Sequence, residues 1–200
     1  MIAVKIIGLD LSGSEGRPSG LAILEGKKFF TCEIRSDAEL LGACGRPGVA
    51  LVAIDAPLNF PSGGGLRPCD RMVISRGLRV FPPTFGGMRK LTERGVRISS
   101  RLRELGLDVI EVHPRSSGVL IFGNPDRSVW VRGLRRAGFS LSPRSEHEVD
   151  AVVSALTGLL HLRGLTEVVG DGKTGEIVIP ARGVSPRTLL RMRCCSGKPR

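Results

Sequence analysis

The stretch Val4-Lys5-Ile6-Ile7-Gly8-Leu9-Asp10-Leu11-Ser12-Gly13 constrains this chain most. An apolar run this short, closed by Ser and Gly, is the pattern of a buried strand. Alternation of side chains sets Val4, Ile6, Gly8 and Asp10 on one face. A carboxylate among buried aliphatics is costly unless a partner, a metal or a shifted pKa relieves it. Asp10 therefore either caps the turn into Ser12-Gly13 or belongs to a site, and the rest of the chain must decide.

Pro18–Leu24 and Lys28–Arg35 predict a hairpin about Glu25-Gly26-Lys27. Ser36-x-x-Glu39 is a capping-box signature for a short helix through Leu40, Leu41 and Ala43, which Pro47-Gly48 breaks. Val49–Ala56 predicts a second buried strand, with Asp55 near its end and Pro57 after it. Three strands in a meander, a helix and a buried strand predict a mixed sheet with the fourth strand beside the first. Leu107–His113 predicts a further buried strand, with Val109, Glu111 and His113 on one face and Pro114 as its stop.

Residues 60–105 break this alternation and read as a helical insertion. Arg67-Pro68-Cys69-Asp70-Arg71 opens one predicted helix, which Phe81-Pro82-Pro83 ends. Met88–Leu105 is a second, with Leu91, Ile98, Leu102 and Leu105 on one side. Arg67, Arg71, Arg76, Arg79, Arg89, Arg94, Arg97, Arg101 and Arg103 are read as a basic surface, and Asp70 as a partner of neighbouring arginines. Residues 125–137 predict a basic amphipathic helix with Trp130 in the core.

Ser145-x-x-Glu148 opens the most apolar helix, Glu146–Leu162, uncharged from Ala151 to Leu160. Its small residues Ala151, Ser154, Ala155 and Gly158 suit close packing on a sheet. Glu146 and Glu148 suit the helix N-terminus. Asp150 sits a turn deeper, with His147 three residues before it on the same face. Residues 168–175 read as a turn-rich loop, Glu176–Pro180 as an edge strand and residues 194–200 as a frayed tail.

The 200 residues suit one domain, 1–200. The net charge is +11, and residues 61–145 alone hold 16 basic against 6 acidic side chains. Arginine outnumbers lysine 24 to 6, and the guanidinium fork suits phosphate oxygens, so nucleic acid is the expected partner. No apolar run reaches the ~18–20 residues of a membrane helix, and Lys5 and Asp10 within the first apolar run are unlike a signal peptide. We expect a soluble cytoplasmic protein with no membrane partner. The five cysteines form no CxxC pair, which argues against a zinc site or disulfide framework.

Asp10, Asp55 and Glu111 each lie toward the C-terminal end of a strand, the edge where open α/β sheets bind ligands. His147 and Asp150 add an imidazole and another carboxylate from the apolar helix. Crowded carboxylates repel one another, and a hard divalent cation, Mg²⁺ or Mn²⁺, removes the conflict. Two such ions about 4 Å apart stabilise both oxygens of an in-line phosphoryl displacement.

Asp10, Asp55 and His147-x-x-Asp150-Ala151 resemble the site of RNase H-like nucleases, with the helix pattern most similar to Holliday-junction resolvases. Asp55-Ala56-Pro57, Arg67-x-x-Asp70-Arg71, Glu111-x-His113-Pro114 and Gly170-Asp171 through Gly175 to Ile179-Pro180 resemble the uncharacterised family called domain of unknown function 429. The resemblance implies an RNase H-like α/β fold: a mixed five-stranded sheet, meander first and parallel strands after, flanked by helices. It implies a metal-dependent nuclease acting on DNA or RNA by a two-metal mechanism. Asp10, Asp55 and Asp150 would bind metal, Glu111 and His147 would join them in catalysis, and Arg67, Arg71 and Arg115 would bind nucleic acid. Resolvase-like enzymes carry Glu where this chain has the shorter Asp55.

Two other readings compete. Asp10-x-Ser12-Gly13-Ser14 before a hairpin resembles the phosphate-binding loop of the actin-like ATPases and sugar kinases, and a chain this short would form a homodimer to build their cleft. A non-catalytic nucleic-acid-binding protein would keep the arginines and need none of the carboxylates.

Overall fold

A computed structural model describes residues 4–192; the tail expected to fray lies outside the described residues. Five strands form the main sheet: β1 (Lys5–Asp10), β2 (Ser19–Glu25), β3 (Lys28–Ile34), β4 (Val49–Asp55) and β5 (Val109–Glu111), in the order β3-β2-β1-β4-β5. The β1–β2 and β2–β3 pairs are antiparallel, and the β1–β4 and β4–β5 pairs are parallel. This is the mixed sheet that the sequence predicts, with β4 beside β1.

One face of the sheet carries α6 (Glu146–Leu162). Ser145 caps it, its side chain accepting from the Glu148 backbone N–H at 3.3 Å. Glu148 reaches back to the Arg144 N–H (3.0 Å) and also accepts from Thr31 Oγ1 (2.6 Å) on β3. Two sheet glycines let α6 settle close. A Cβ on Gly8 would lie 2.0 Å from the Ala151 carbonyl oxygen, and one on Gly20 would lie 2.0 Å from that of His147. Gly20 pairs with Asp10 across β1 and β2, so this close approach occurs beside the acid itself.

On the opposite face, α1 (Asp37–Cys44) and α3 (Gly87–Glu104) cover Ile7, Leu9, Val52 and Ile54 with Leu40, Ile98 and Leu102. Parallel β4 and β5 cannot be joined by a tight turn, and α3 makes the crossover. Leu105, expected on the buried side of α3, is its C-cap and is exposed. The helix opened by Arg67 is α2 (Pro68–Ser75), which ends well before Pro82.

Two elements depart from the sequence reading. Pro114 ends β5 but also starts α4 (Pro114–Phe122), because proline at the first helical position loses no hydrogen bond. Its N-cap is His113, and Gly123, at φ 65°, closes it. The stretch read as a loop holds β6 (Thr166–Asp171), paired antiparallel with β7 (Gly175–Pro180). Asp171 Oδ1 accepts from the N–H groups of Lys173 (2.9 Å) and Thr174 (2.7 Å), which tightens the hairpin turn. Val169, Ile177 and Ile179 of this hairpin pack on Cys69 and Val73 of α2, and a bridge from Val178 to Val112 docks it beside β5. α5 (Arg127–Arg136) buries Trp130, as expected, and α7 (Pro186–Arg191) follows the hairpin. Among the described residues no helix is long and apolar enough to cross a membrane.

Candidate active site

Asp10 and Asp55 are register partners at the ends of β1 and β4. Both share the strand face of Gly8 and Ala53, the face under α6. From α6, His147 meets Asp10, with Nδ1 2.6 Å from Oδ2. Asp150, one turn further and only 5% exposed, is held by Arg127 of α5. Arg127 Nε donates to Oδ1 at 2.8 Å and Nη2 to Oδ2 at 2.5 Å, while Nη1 donates to Glu146 Oε2 at 2.8 Å. Four of the five sequence-chosen acid–base residues thus meet at one end of the sheet.

The electrostatics record the crowding. Burial raises the Asp10 carboxyl from 3.8 to about 6; the His147 hydrogen bond opposes this, and the charge of Asp150 adds to it. Asp55 is raised well above the usual carboxylate range, first by burial and then by the charges of Asp10, Asp150 and Glu111. No side chain among the described residues donates a hydrogen bond to Asp55.

Glu111 stands apart. It pairs with Ile54 rather than Asp55, so alternation turns it to the α3 side of the sheet. There Arg67 grips both its oxygens (2.5 and 2.7 Å), and the Leu58 N–H donates at 2.9 Å. Arg67 also binds Asp70 through Nη2 (2.8 Å) and Nε (3.1 Å), and Asn59 through Nη1 (2.7 Å). Asp70 therefore pairs with an arginine, as expected. Arg67 itself is 1% exposed, so it is not the surface phosphate contact that the sequence reading makes it. The cluster clamps α2 to the ends of β4 and β5, and through Asn59 it reaches the hairpin glycine Gly175.

Arg94 repeats the lesson. It is buried, and it donates to Ser12 O (2.8 Å), Ser12 Oγ (2.7 Å) and Asp37 (2.9 Å). It fixes the loop after Asp10. The Ser12 N–H is taken by Ser19 Oγ at 3.0 Å, so the loop that resembles a phosphate-binding turn spends these donors internally. Of the nine arginines read as surface, Arg76, Arg89, Arg97 and Arg101 pair with acids. Arg71, Arg79 and Arg103 are exposed and without an acidic partner among the described residues. Arg115 is exposed, its guanidinium 5.9 Å from the Trp130 ring centroid.

Sequence reasoning left two residues out of the site. Arg127 reads as part of a basic helix face, and nothing local marks it as the partner of Asp150. His113 belongs to the Glu111-x-His113-Pro114 motif, which by itself assigns it no role. It lines a cavity with Asp55, and burial pushes its imidazole from 6.5 down to about 4. Its Nδ1 accepts from the Ser116 N–H at 3.2 Å, which puts the ring proton on Nε2.

As donors, Asp10, Asp55 and Asp150 suit a hard divalent cation, since their mutual repulsion is what a cation relieves. Their pose is not that of a formed site: among the described residues no three His, Cys, Asp or Glu side chains are gathered to hold a metal. His147 and Arg127 hold two of the three carboxylates instead.

The model of the family described as protein of unknown function (DUF429) matches residues 8–174. The chain belongs to DUF429. Among solved structures, this DUF429 protein is similar to T. thermophilus RuvC in complex with Holliday junction substrate. The TM-score is 0.53 at 14% identity, covering 86% of this chain and 99% of that one. It is also similar to a Thermus thermophilus RuvC structure, with a TM-score of 0.50 at 16% identity and the same coverage. The likeness shows an RNase H-like fold for this DUF429 chain. No curated protein matches it.

Proposed function

We propose that this DUF429 protein is a metal-dependent nuclease that hydrolyses phosphodiester bonds at Asp10, Asp55, His147 and Asp150. The observation that carries the reading is the juxtaposition of Asp10 and Asp55 in register, under a helix that adds His147 and Asp150. The RNase H-like fold and the RuvC bound to a Holliday junction agree with it. Asp10, Asp55 and Asp150 would hold Mg²⁺ or Mn²⁺, one ion or two, and the metal would supply charge stabilisation for the attacking and leaving oxygens. His147, 46% exposed at the rim, orients or deprotonates the attacking water, with Asp10 holding its ring. Glu111 acts at a distance, by fixing Arg67 and adding charge behind Asp55. Arg71 and Arg115 contact nucleic-acid backbone. A homodimer and a cytoplasmic location complete the proposal.

The test is cleavage of DNA, RNA and branched substrates with Mg²⁺ or Mn²⁺. Asp10→Asn should abolish cleavage with the fold intact. His147→Ala should slow it by ~10²–10⁴-fold, the usual contribution of general-base help, while metal binding survives. No cleavage of any substrate under either metal would leave a binding role in place of catalysis.

A further inference from the structure

Beside Asp55 lies a cavity of about 180 Å³ to which the chemistry proposed above assigns no occupant. It is smaller than the ~300–1,000 Å³ of sites for drug-sized ligands, and has room for about one ring system. Its walls differ in kind. Val80, Met88 and Leu91 make an apolar side, exposed Phe81 joins them, and Asp55 and His113 supply polar atoms beside the Arg67–Glu111 pair, whose charges are spent on each other. Asp55 offers a carboxylate with no protein donor, and His113 a neutral ring with its proton on Nε2. An apolar slot with a few convergent polar groups is how proteins take a flat heterocycle.

The segment that supplies Phe81 to this cavity is unusual for the chain. There are only seven phenylalanines, one tryptophan and no tyrosine. Phe60, Phe81 and Phe85 nevertheless lie within 26 residues of one another and are 41%, 68% and 72% exposed. The turn that carries two of them is anchored: Gly65 N donates to Thr84 Oγ1 at 3.0 Å, and Thr92 Oγ1 to Pro83 O at 3.0 Å. The rings are therefore displayed from a fixed base. Arg71, Arg79 and Lys90 of the same segment are exposed and have no acidic partner within the described residues.

Exposed aromatic faces interleaved with unpaired cations match single-stranded nucleic acid. The cations track the phosphates, and each ring stacks on a base. A duplex cannot use such rings, because its base faces already stack on each other. A folded protein partner would use the phenylalanines but would need carboxylates matched to the unpaired arginines, whereas every nucleotide of a strand brings both a base and a phosphate. We infer that the site takes an unpaired strand, with one nucleobase in the cavity between Phe81 and His113, next to the phosphate that a metal at Asp55 would hold. The inference rests on the nuclease reading for that phosphate, but the binding it describes stands alone.

The test is fluorescence anisotropy of labelled single-stranded and duplex oligonucleotides of equal length, in EDTA so that nothing is cut. Single strands should bind at least tenfold more tightly. Phe81→Ala should weaken single-strand binding roughly five- to hundredfold, the size of one base–aromatic stack, and leave duplex binding nearly unchanged. Phe81→Trp should retain it, and 2-aminopurine in the strand should lose fluorescence on binding to the parent. Phe81 is exposed, and an unchanged melting temperature in the alanine variant verifies folding. Equal affinity for both forms, or a neutral Phe81→Ala, overturns the inference. Cleavage of duplex or junction DNA alone also overturns it but leaves the nuclease reading. Tight single-strand binding without cleavage under Mg²⁺ or Mn²⁺ upholds it and overturns catalysis, and no nucleic-acid binding of any kind overturns both.

Discussion

Arg127 holds Asp150 by two parallel hydrogen bonds, Nε to Oδ1 and Nη2 to Oδ2. The guanidinium is thus an internal cation on a carboxylate proposed to bind metal. Its charge also reaches Asp10 and Asp55, where it opposes the rise in their pKa. An incoming ion must compete with this fork before Asp150 can turn to it.

Arg127→Gln should therefore bind Mg²⁺ or Mn²⁺ more tightly than the parent. A charge-assisted pair is worth about 1.5–3 kcal/mol, so the gain should be roughly ten- to hundredfold by calorimetry. The metal-free melting temperature should fall, because a buried carboxylate loses its partner. Equal metal affinity in the two proteins would mean that Asp150 does not ligate the ion.

The carboxylate pair sets a pH dependence of known sign. The folded-state pKa of Asp10 is raised, to about 6 from 3.8, so between these values the folded protein holds more protons than the unfolded chain. Stability without metal should then fall as pH rises through this window, and Asp55 should act in the same direction. Metal binding has the opposite trend: affinity should weaken as pH drops below about 6, with proton release on binding. Melting curves of the parent and Asp10→Asn in chelator isolate the first effect, since the variant should lose the part of that slope that Asp10 contributes. A parent and variant with identical pH profiles would contradict it.

Gly20 is predicted to be indispensable to the site. An alanine Cβ there would overlap the His147 carbonyl oxygen, so the first turn of α6 must lift. Gly20→Ala should cost about 1–3 kcal/mol, as overpacking does, and should separate His147 from Asp10. Gly42→Ala, where a Cβ meets nothing within 4 Å, is the control and should be neutral or stabilising. Thermal melting and His147 ring NMR shifts would read both effects, and an unchanged His147 signal in Gly20→Ala would refute the packing argument.

The two neighbouring arginines of the Arg67-x-x-Asp70-Arg71 motif should behave oppositely. Arg67→Met leaves Glu111 and Asp70 buried without their cation and should destabilise by about 3–5 kcal/mol. Arg71→Ala should leave stability within about 0.5 kcal/mol and weaken nucleic-acid binding. On duplex DNA it should also reduce the salt slope by ~0.9 per lost phosphate contact. A stable Arg67→Met would show that the clamp is not needed for the fold.

Much of the site was legible because its signals are local. Asp10 and Asp55 each end a buried run, and period two puts them on the faces they occupy. Ser145 and Glu148 mark the start of α6, and the spacing of His147 and Asp150 places both on one helix face. The hairpin strand β6 was hidden by Gly170 and Asp171, which carry turn chemistry whether or not a strand surrounds them.

Sequence by itself determined the order of strands, the mixed sheet and the two acids at its centre. Periodicity and caps are short-range properties that neighbouring residues write out in full. Only the tertiary structure decided which charges meet. Glu111 left the site because the β4–β5 register pairs it with Ile54, and register between strands whose partners are 57 residues apart is set by packing. Arg67, Arg94 and Arg127 look like their exposed neighbours in sequence. They became counter-ions of carboxylates 44, 57 and 23 residues away, of which Glu111 and Asp150 are buried and Asp37 partly so, and burial makes the need for a counter-charge decisive.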